Sequence, residues 1–410
     1  MGREFLHLTP VDEALALFRS HFPEPLDTRV DVPLADALGL VLAADVHAAE
    51  DLPGWPRATV DGYAVQAKSV RGAAATRPTY LKLLGEVAMG HPAGLSVGPG
   101  ECARIATGGM LPAGADAVVM VEHTDLLDPA TVEVAHGPSE WEGVNRPGED
   151  FRANALLVPA GTRLRPAEIA VLAAAGRTTL PCRHPLTAAL ISTGDELVPA
   201  DRAPGPGQVR DVNTPALAAA LRQAGLVPHV AGLFPDDPPL LAAALADAVA
   251  QHDVVLISGG SSVGRADHTY DLLHALGDPG VFVHGLAIRP GKPTLLAKAH
   301  GKPLFGLPGH PASSLVIFAA VIAPCLAHLA GELPRPRTVW ARAGRPVRSG
   351  PGKDEYLKVR LVPDGLHWRA EPLFGQSGNV LALAQADGLL RVPLESDGLA
   401  EGDPAEVLLL

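Results

Sequence analysis

Residues 253–267, DVVLISGGSSVGRAD, join an apolar run to a glycine- and serine-rich loop that closes on Asp267. Such a loop presents backbone N–H groups and hydroxyls, and phosphates favour nests of this kind. Gly259, Gly260, Ser261 and Ser262 are therefore candidate phosphate contacts, although a lone glycine pair often only turns the chain. A second stretch, Arg289-Pro290-Gly291-Lys292-Pro293, sets two cations about a turn stiffened by two prolines. Fixed cations suit an oxyanion, because fewer rotors are ordered on binding; a surface turn with solvated charges is the plainer alternative. A third, GLPGHPASS at 306–314, is another glycine loop with hydroxyls. The carboxylates Glu196, Asp236 and Asp267 are hard oxygen donors of the kind that hold Mg²⁺, which keeps several waters and bridges phosphate oxygens. Asp236 alone reads as a helix N-cap and His310 as a loop residue. Three acids, two cations and two glycine loops together favour phosphate chemistry. The chain has no GxSxG elbow and no Walker A motif.

These groups work together only if the fold brings them to one edge. Residues 186–191, 227–232, 254–257 and 302–307 read as strands; 216–224, 240–251 and 313–330 read as helices. Residues 254–257 are continuously apolar and rich in β-branched side chains, the pattern of a strand buried on both faces of a parallel sheet. Strands alternating with helices make a doubly wound α/β sheet, whose ligands bind beyond the carboxyl ends of the strands. The loops 192–196, 236–237, 259–267 and 306–314 would converge there, with 289–293 as a fifth piece.

The flanking regions read differently. Thr9-Pro10 starts a helix with Thr9 as its cap, 32–43 gives a helical turn and a strand, and Arg165-Pro166 opens a helix that stops at Gly176. Residues 80–124 alternate short β-runs with Gly and Pro, as in a small all-β domain, and from 334 onward short β-runs return as a barrel or sandwich. Asp61 in TVDGYAV, Thr107 before Gly108-Gly109, and Asp150 closing NRPGED each read as polar turns when taken alone.

With 410 residues, the chain exceeds one core; 47% hydrophobic and 19% charged residues make it globular. A net charge of −12 argues against general binding to nucleic acid or anionic membrane, but not against a local basic pocket. Cys102, Cys182 and Cys325 lie far apart without a CxxC, which argues against zinc or a disulfide framework. The first residues lack the apolar core of a signal peptide, and the apolar segment 315–330 is short for a membrane span and contains Pro324 and His328. A soluble, cytoplasmic protein is expected.

Six motifs, in order along nearly the whole chain, carry a family resemblance: TVDGYAV (59–65), RIATGGMLPAGADAVVMVE (104–122), STGDEL (192–197), GGSSVGRAD (259–267), RPGKP (289–293) and GLPGHP (306–311). The chain resembles the MoeA family, the molybdopterin molybdenumtransferases, to which the E domains of gephyrin and its plant counterpart belong. The resemblance implies insertion of molybdate into adenylylated molybdopterin, with Mg²⁺-assisted release of AMP, to form the molybdenum cofactor. It implies a phosphate cradle at Gly259, Gly260, Ser261, Ser262, Pro308, Gly309, Pro311 and Ser313. Arg289, Lys292, Pro293, Ser262 and Ser313 would form the molybdate pocket, and Asp267, Glu196 and Asp236 would serve metal binding and anhydride cleavage. Asp61, Thr107 and Asp150 would act across a homodimer interface.

The implied architecture is a central MogA-like α/β domain (186–331), a discontinuous N-terminal linker or dimerisation domain (1–50 with 150–185), a small mostly-β domain (51–149) and a C-terminal β-barrel (332–410). Proteins of the same cofactor pathway are possible partners. The family usually has Asn where this chain has His310, and often Lys where it has Arg289; the fork of arginine in place of a point donor changes how an oxyanion is held. A molybdopterin adenylyltransferase shares the α/β fold but not the extra domains. A gephyrin-type scaffold needs a trimerising domain and linker that this sequence lacks. Molybdate and tungstate are not separated by these residues.

Overall fold

The structure, a computed structural model, describes residues 8–259, 266–334, 337–373 and 380–410. At its centre is a six-stranded sheet: β1 (Thr187–Thr193), β2 (Val227–Phe234), β3 (Val254–Gly259), β4 (Gly280–His284), β5 (Leu295–Ala299) and β6 (Lys302–Leu307). The order is β2-β1-β3-β6-β5-β4. The first four of these strands run parallel, whereas β5 pairs antiparallel with both β6 and β4. The sheet is doubly wound as expected but carries an antiparallel edge that the sequence pattern did not announce.

The continuous apolar runs follow from burial on both faces. Ala188, Leu190, Val254 and Leu256 face one core with Leu217, Leu221, Val316 and Val321, while Ala189, Ile191, Val255 and Ile257 face a second with Leu241, Leu245 and Val249. Each large aliphatic side chain so buried contributes about 1.5–3 kcal/mol. The switch point of the sheet lies between β1 and β3, so the loops after these two strands open a crevice at their carboxyl ends.

Helices Asn213–Gln223 and Pro238–Gln251 cross over between the parallel strands. The helix expected at 313–330 begins at Pro311 and contains a widened π-helical turn, Phe318–Ile322, before Ala323–Leu329. Pro324, just beyond that turn, has no N–H to continue the regular ladder. This apolar segment, Pro311–Leu329, is long enough to cross a membrane, but 72% of it is buried inside the molecule. It is a core helix. The N-terminal helix Val11–His21 packs Val11, Ala14 and Phe18 into the same core, and Phe18 stacks on Phe305 at 5.8 Å. Thr9 does not cap that helix: Pro10 holds the cap position, and Thr9 bridges to Leu286, with its N–H donating to Gly285 O at 3.1 Å.

Among the described residues, three larger sheets and several two-stranded ladders lie outside this central sheet. Arg29–Pro33, Thr179–Arg183 and Val41–Leu42 form one, tying together residues that precede and follow the small β region. A six-stranded sheet, with Gly62–Val65 between Ala117–Met120 and Glu101–Ile105, builds that β region. Near the C-terminus, Thr338–Ala343, Asp354–Asp364, His367–Pro372, Gly388–Val392 and Pro404–Leu409 close into a five-stranded barrel. Ile288–Arg289 adds alongside Asp354–Glu355 and so docks the cationic turn of the α/β unit onto the barrel.

Candidate active site

A cleft of about 630 Å³ opens beyond β1 and β3, and among its lining residues are Glu196, Asp211, Asp236, Gly259, Gly309 and Ser313. Its floor is a buried polar net. Ser192 Oγ lies 3.0 Å from Ser258 Oγ, and Thr214 Oγ1 donates to Ser192 Oγ at 3.0 Å. Asp211, only 7% exposed, accepts from the Thr214 N–H at 3.1 Å and from Ser192 Oγ at 3.4 Å. These bonds satisfy hydroxyls at the ends of β1 and β3 that would otherwise be costly to bury.

Asp236, which alone reads as a helix cap, does not cap. Asp237 takes that place, accepting from the Leu240 N–H at 3.1 Å, while Asp236 accepts from Thr193 Oγ1 at 2.8 Å and stays on the cleft wall. Gly259 sits at φ +115°, where an added Cβ would lie 1.9 Å from the Thr193 carbonyl oxygen. Only glycine allows β3 to leave the sheet so close to β1. On the opposite wall, Asn213 Nδ2 donates to Gly309 O at 2.9 Å, fixing the 306–314 loop to the helix that begins at Asn213.

A second cleft, about 520 Å³, lies between this loop and the barrel and is lined by Arg289, Ser313, Arg348, Glu355 and Lys358, among others. Arg289 reaches Glu355 at 3.4 Å but keeps a side chain 64% exposed. Lys358 Nζ is buried with no hydrogen-bond partner among the described residues, and burial lowers its pKa from the usual lysine value. A buried ammonium with no partner among the described residues, on a residue that lines one cleft with two arginines, favours an oxyanion there. Ser313, 5% exposed, lines both clefts. Gly291, at φ +117°, lets the cationic turn pass over Ile317, whose side-chain carbons would lie 2.4 Å from an added Cβ.

The fold thus gathers Glu196, Asp236, Gly259, Pro293, Pro308, Gly309, Pro311 and Ser313 on the main cleft, with His310 among them. Arg289 belongs to the second cleft, whereas Lys292, exposed on the same turn, lines neither. Arg289 and Lys292 are thus not lining residues of the same described cleft. Gly260, Ser261, Ser262 and the Asp267 side chain lie outside the described residues. Asp61 and Thr107 are brought together: Asp61 Oδ1 accepts from the Thr107 N–H at 2.7 Å and from its Oγ1 at 3.0 Å. The backbone bond first, then the hydroxyl, holds the Asp61 carboxyl below its ordinary pKa. Asp61, Thr107 and the exposed Asp150 line neither cleft of their own chain.

Arg348 and Lys358 escaped the sequence reading because they lie in β-runs of another region, among other cations such as Arg345 and Arg360 that mark no site. Only the pairing of Ile288–Arg289 with Asp354–Glu355 brings them to the loop. As for metal, no three His, Cys, Asp or Glu side chains group as a metal site among the described residues.

Comparison with known proteins agrees with this layout. Residues 9–176 match the MoeA N-terminal region (domain I and II), 189–328 a probable molybdopterin binding domain, and 340–410 the MoeA C-terminal region (domain IV). The molybdopterin molybdenumtransferase of Nostoc sp. is 34% identical over 396 residues, spanning 94% of this chain and 90% of that protein. That of Staphylococcus aureus is 29% identical over 93% of this chain and 91% of its own length. A crystal structure of a molybdopterin biosynthesis MoeA protein from Pyrococcus horikoshii superposes with a TM-score of 0.85 at 27% identity, covering 98% of this chain and 100% of that one. In fold, in the order of its three matched regions and in sequence along nearly its whole length, the chain belongs to the molybdopterin molybdenumtransferase (MoeA) family.

Proposed function

We propose that the two clefts hold the two substrates of one transfer: adenylylated molybdopterin along the main cleft, and molybdate in the cationic cleft. Membership of the family makes the chain an enzyme of molybdenum cofactor biosynthesis that transfers molybdenum. The adenylylated form of the pterin and the release of AMP are our reading. The observation that carries it is the sharing of Ser313 between an acid-lined cleft and a cation-lined one. An oxyanion held by Arg289, Arg348 and Lys358 would lie next to the pterin at the one wall both clefts have in common.

In this reading Gly259, Pro308, Gly309, Pro311 and Ser313 bound the phosphates, with Gly260, Ser261 and Ser262 continuing the same loop. The anhydride P–O bond between AMP and the pterin phosphate breaks as a water oxygen forms a new P–O bond at phosphorus, giving AMP, the pterin monophosphate and a released proton. Glu196 and Asp236 orient the phosphates and, with Asp267, would hold a Mg²⁺ ion. Two described carboxylates are no complete cage, but they suit an ion that arrives on phosphate oxygens and keeps several waters. Such an ion supplies neutralisation of the charge that develops on the phosphates. Asp61, Thr107 and Asp150, which line neither cleft of their own chain, complete the site from the partner protomer of a homodimer. Three free, buried cysteines fit a reducing compartment such as the cytoplasm.

Purified protein given adenylylated molybdopterin, molybdate and Mg²⁺ should yield a molybdenum-loaded pterin that activates a cofactor-free molybdoenzyme. Tight pterin binding without molybdenum uptake would leave only a carrier role.

A further inference from the structure

We propose that Arg210 fixes a ligand phosphate at the mouth of the main cleft and so selects for nucleotides over nucleosides there. The inference rests on the reading of that cleft as the site of an adenylylated substrate, and it adds a positioning residue that neither the glycine loops nor the acids supply.

Glu196, Asp211 and Asp236 line the cleft, and Arg210 is the single lysine or arginine among its described lining residues. A phosphate entering this space meets three carboxylates, so its affinity depends on a compensating cation. Arg210 is exposed, whereas Asp211 beside it is 7% exposed and hydrogen-bonded to the Thr214 N–H and Ser192 Oγ. The cation thus stands at the entrance and the acid is turned inward.

The second element is preorganisation. Arg210 Nε donates to Ala200 O at 3.1 Å, which leaves the two terminal nitrogens as the available edge of the guanidinium. Its backbone is equally fixed. Val209–Arg210 pairs in parallel with Leu197–Val198; the Val209 N–H donates to Glu196 O at 2.8 Å, and the Asp211 N–H donates to Val198 O at 2.8 Å. The arginine and Glu196 therefore share one small frame, held by main-chain bonds that a change of side chain does not touch. A planar fork anchored in advance loses little freedom when it grips a phosphate, and arginine suits such two-point contacts better than lysine.

The test compares AMP with adenosine as calorimetric probes, using the full chain at low ionic strength as wild type, Arg210→Ala, Arg210→Gln and Arg210→Lys. The wild type should bind AMP more tightly than adenosine. Arg210→Ala and Arg210→Gln should each weaken AMP about ten- to a hundredfold, the range for a lost charged hydrogen bond, while adenosine binding and the melting temperature stay as they were. Arg210→Lys should fall between, because it keeps the charge without the anchored fork. Unchanged AMP affinity in Arg210→Ala and Arg210→Gln would overturn the proposal and leave the nucleotide reading intact, as would equal weakening of AMP and adenosine. A wild type that binds neither probe would remove the nucleotide reading itself.

Discussion

Lys358 lines the second cleft and its ammonium has no hydrogen-bond partner among the described residues; its replacement by methionine should stabilise the protein while weakening oxyanion binding. Burial lowers the Lys358 pKa below the usual 10.5, so the folded chain binds this proton less readily than the unfolded one. The sign follows from linkage: the wild type is penalised while the group is charged and regains that stability as pH rises from the lowered pKa toward 10.5. A buried donor left unsatisfied costs about 1–3 kcal/mol, and methionine fills the same volume without that cost. At about 2–4 °C per kcal/mol for a unit of this size, Lys358→Met should melt several degrees higher at neutral pH. It should also lose the rise in stability that the wild type gains at alkaline pH. Molybdate affinity, measured by calorimetry on the same sample, should drop about tenfold or more, the worth of one charged hydrogen bond. Methionine that lowers the melting temperature, or leaves molybdate binding intact, would refute the view of Lys358 as a strained anion ligand.

Other perturbations test other parts of the account. Gly259→Ala would drive a methyl group into the Thr193 carbonyl at a left-handed φ; strain of about 1–3 kcal/mol should appear as a lower melting temperature together with weakened AMP binding. Glu168, which accepts from the Arg165 side chain and backbone, has its pKa held down to about 2. Its stabilising effect is complete above about pH 4.5 and fades toward pH 2, so Glu168→Gln should lower stability at pH 7, where that effect is complete, and flatten the further loss of stability within that acid window. If Asp61 acts across a dimer, Asp61→Asn and Asp267→Ala should each be inactive alone. Unfolded together and refolded as a mixture, they should regain about a quarter of wild-type activity through dimers carrying one intact site. No recovery, with dimers verified, would place Asp61 in its own chain's chemistry or in none.

Much of the fold was legible because its strands obey strong local rules. Lys302–Leu307 and the run beginning at Val254 are apolar, short and bounded by turns, and both appear where the pattern puts them. Leu295–Ala299 was not legible, because Leu, Ala and Lys are helix formers. It becomes a strand through a tight turn at His300 (φ 51°) and Gly301 (φ 77°) that pairs it with β6, and His-Gly is a weaker turn signal than Asn-Gly. Asp236 and Asp237 show a finer limit. Adjacent acids before a proline are equivalent in sequence, and only the hydrogen bond from Leu240 settles which one caps.

The site was legible where its residues follow strands of the α/β sheet, since topology alone sends those loops to one edge. It was not legible where it depends on docking between domains. Lys358 lies on a barrel strand and Arg348 on the short ladder of Val347–Arg348 with Gly398–Leu399, and no periodicity in either segment announces that they will line one cleft with Arg289. Arg210 sits in a stretch that reads as the approach to a helix, and its value lies in being the lysine or arginine among the described residues of a cleft that three acids line.

The central claim is that phosphate cleavage in the main cleft depends on the oxyanion in the second. The most direct measurement is AMP release from adenylylated molybdopterin by the purified protein with Mg²⁺, followed as molybdate is titrated in. The account predicts release that rises with molybdate and saturates, and that in Lys358→Met needs about tenfold or more molybdate to reach half its maximum while the pterin remains bound. Release at full rate without molybdate, or no dependence on Lys358, would contradict it.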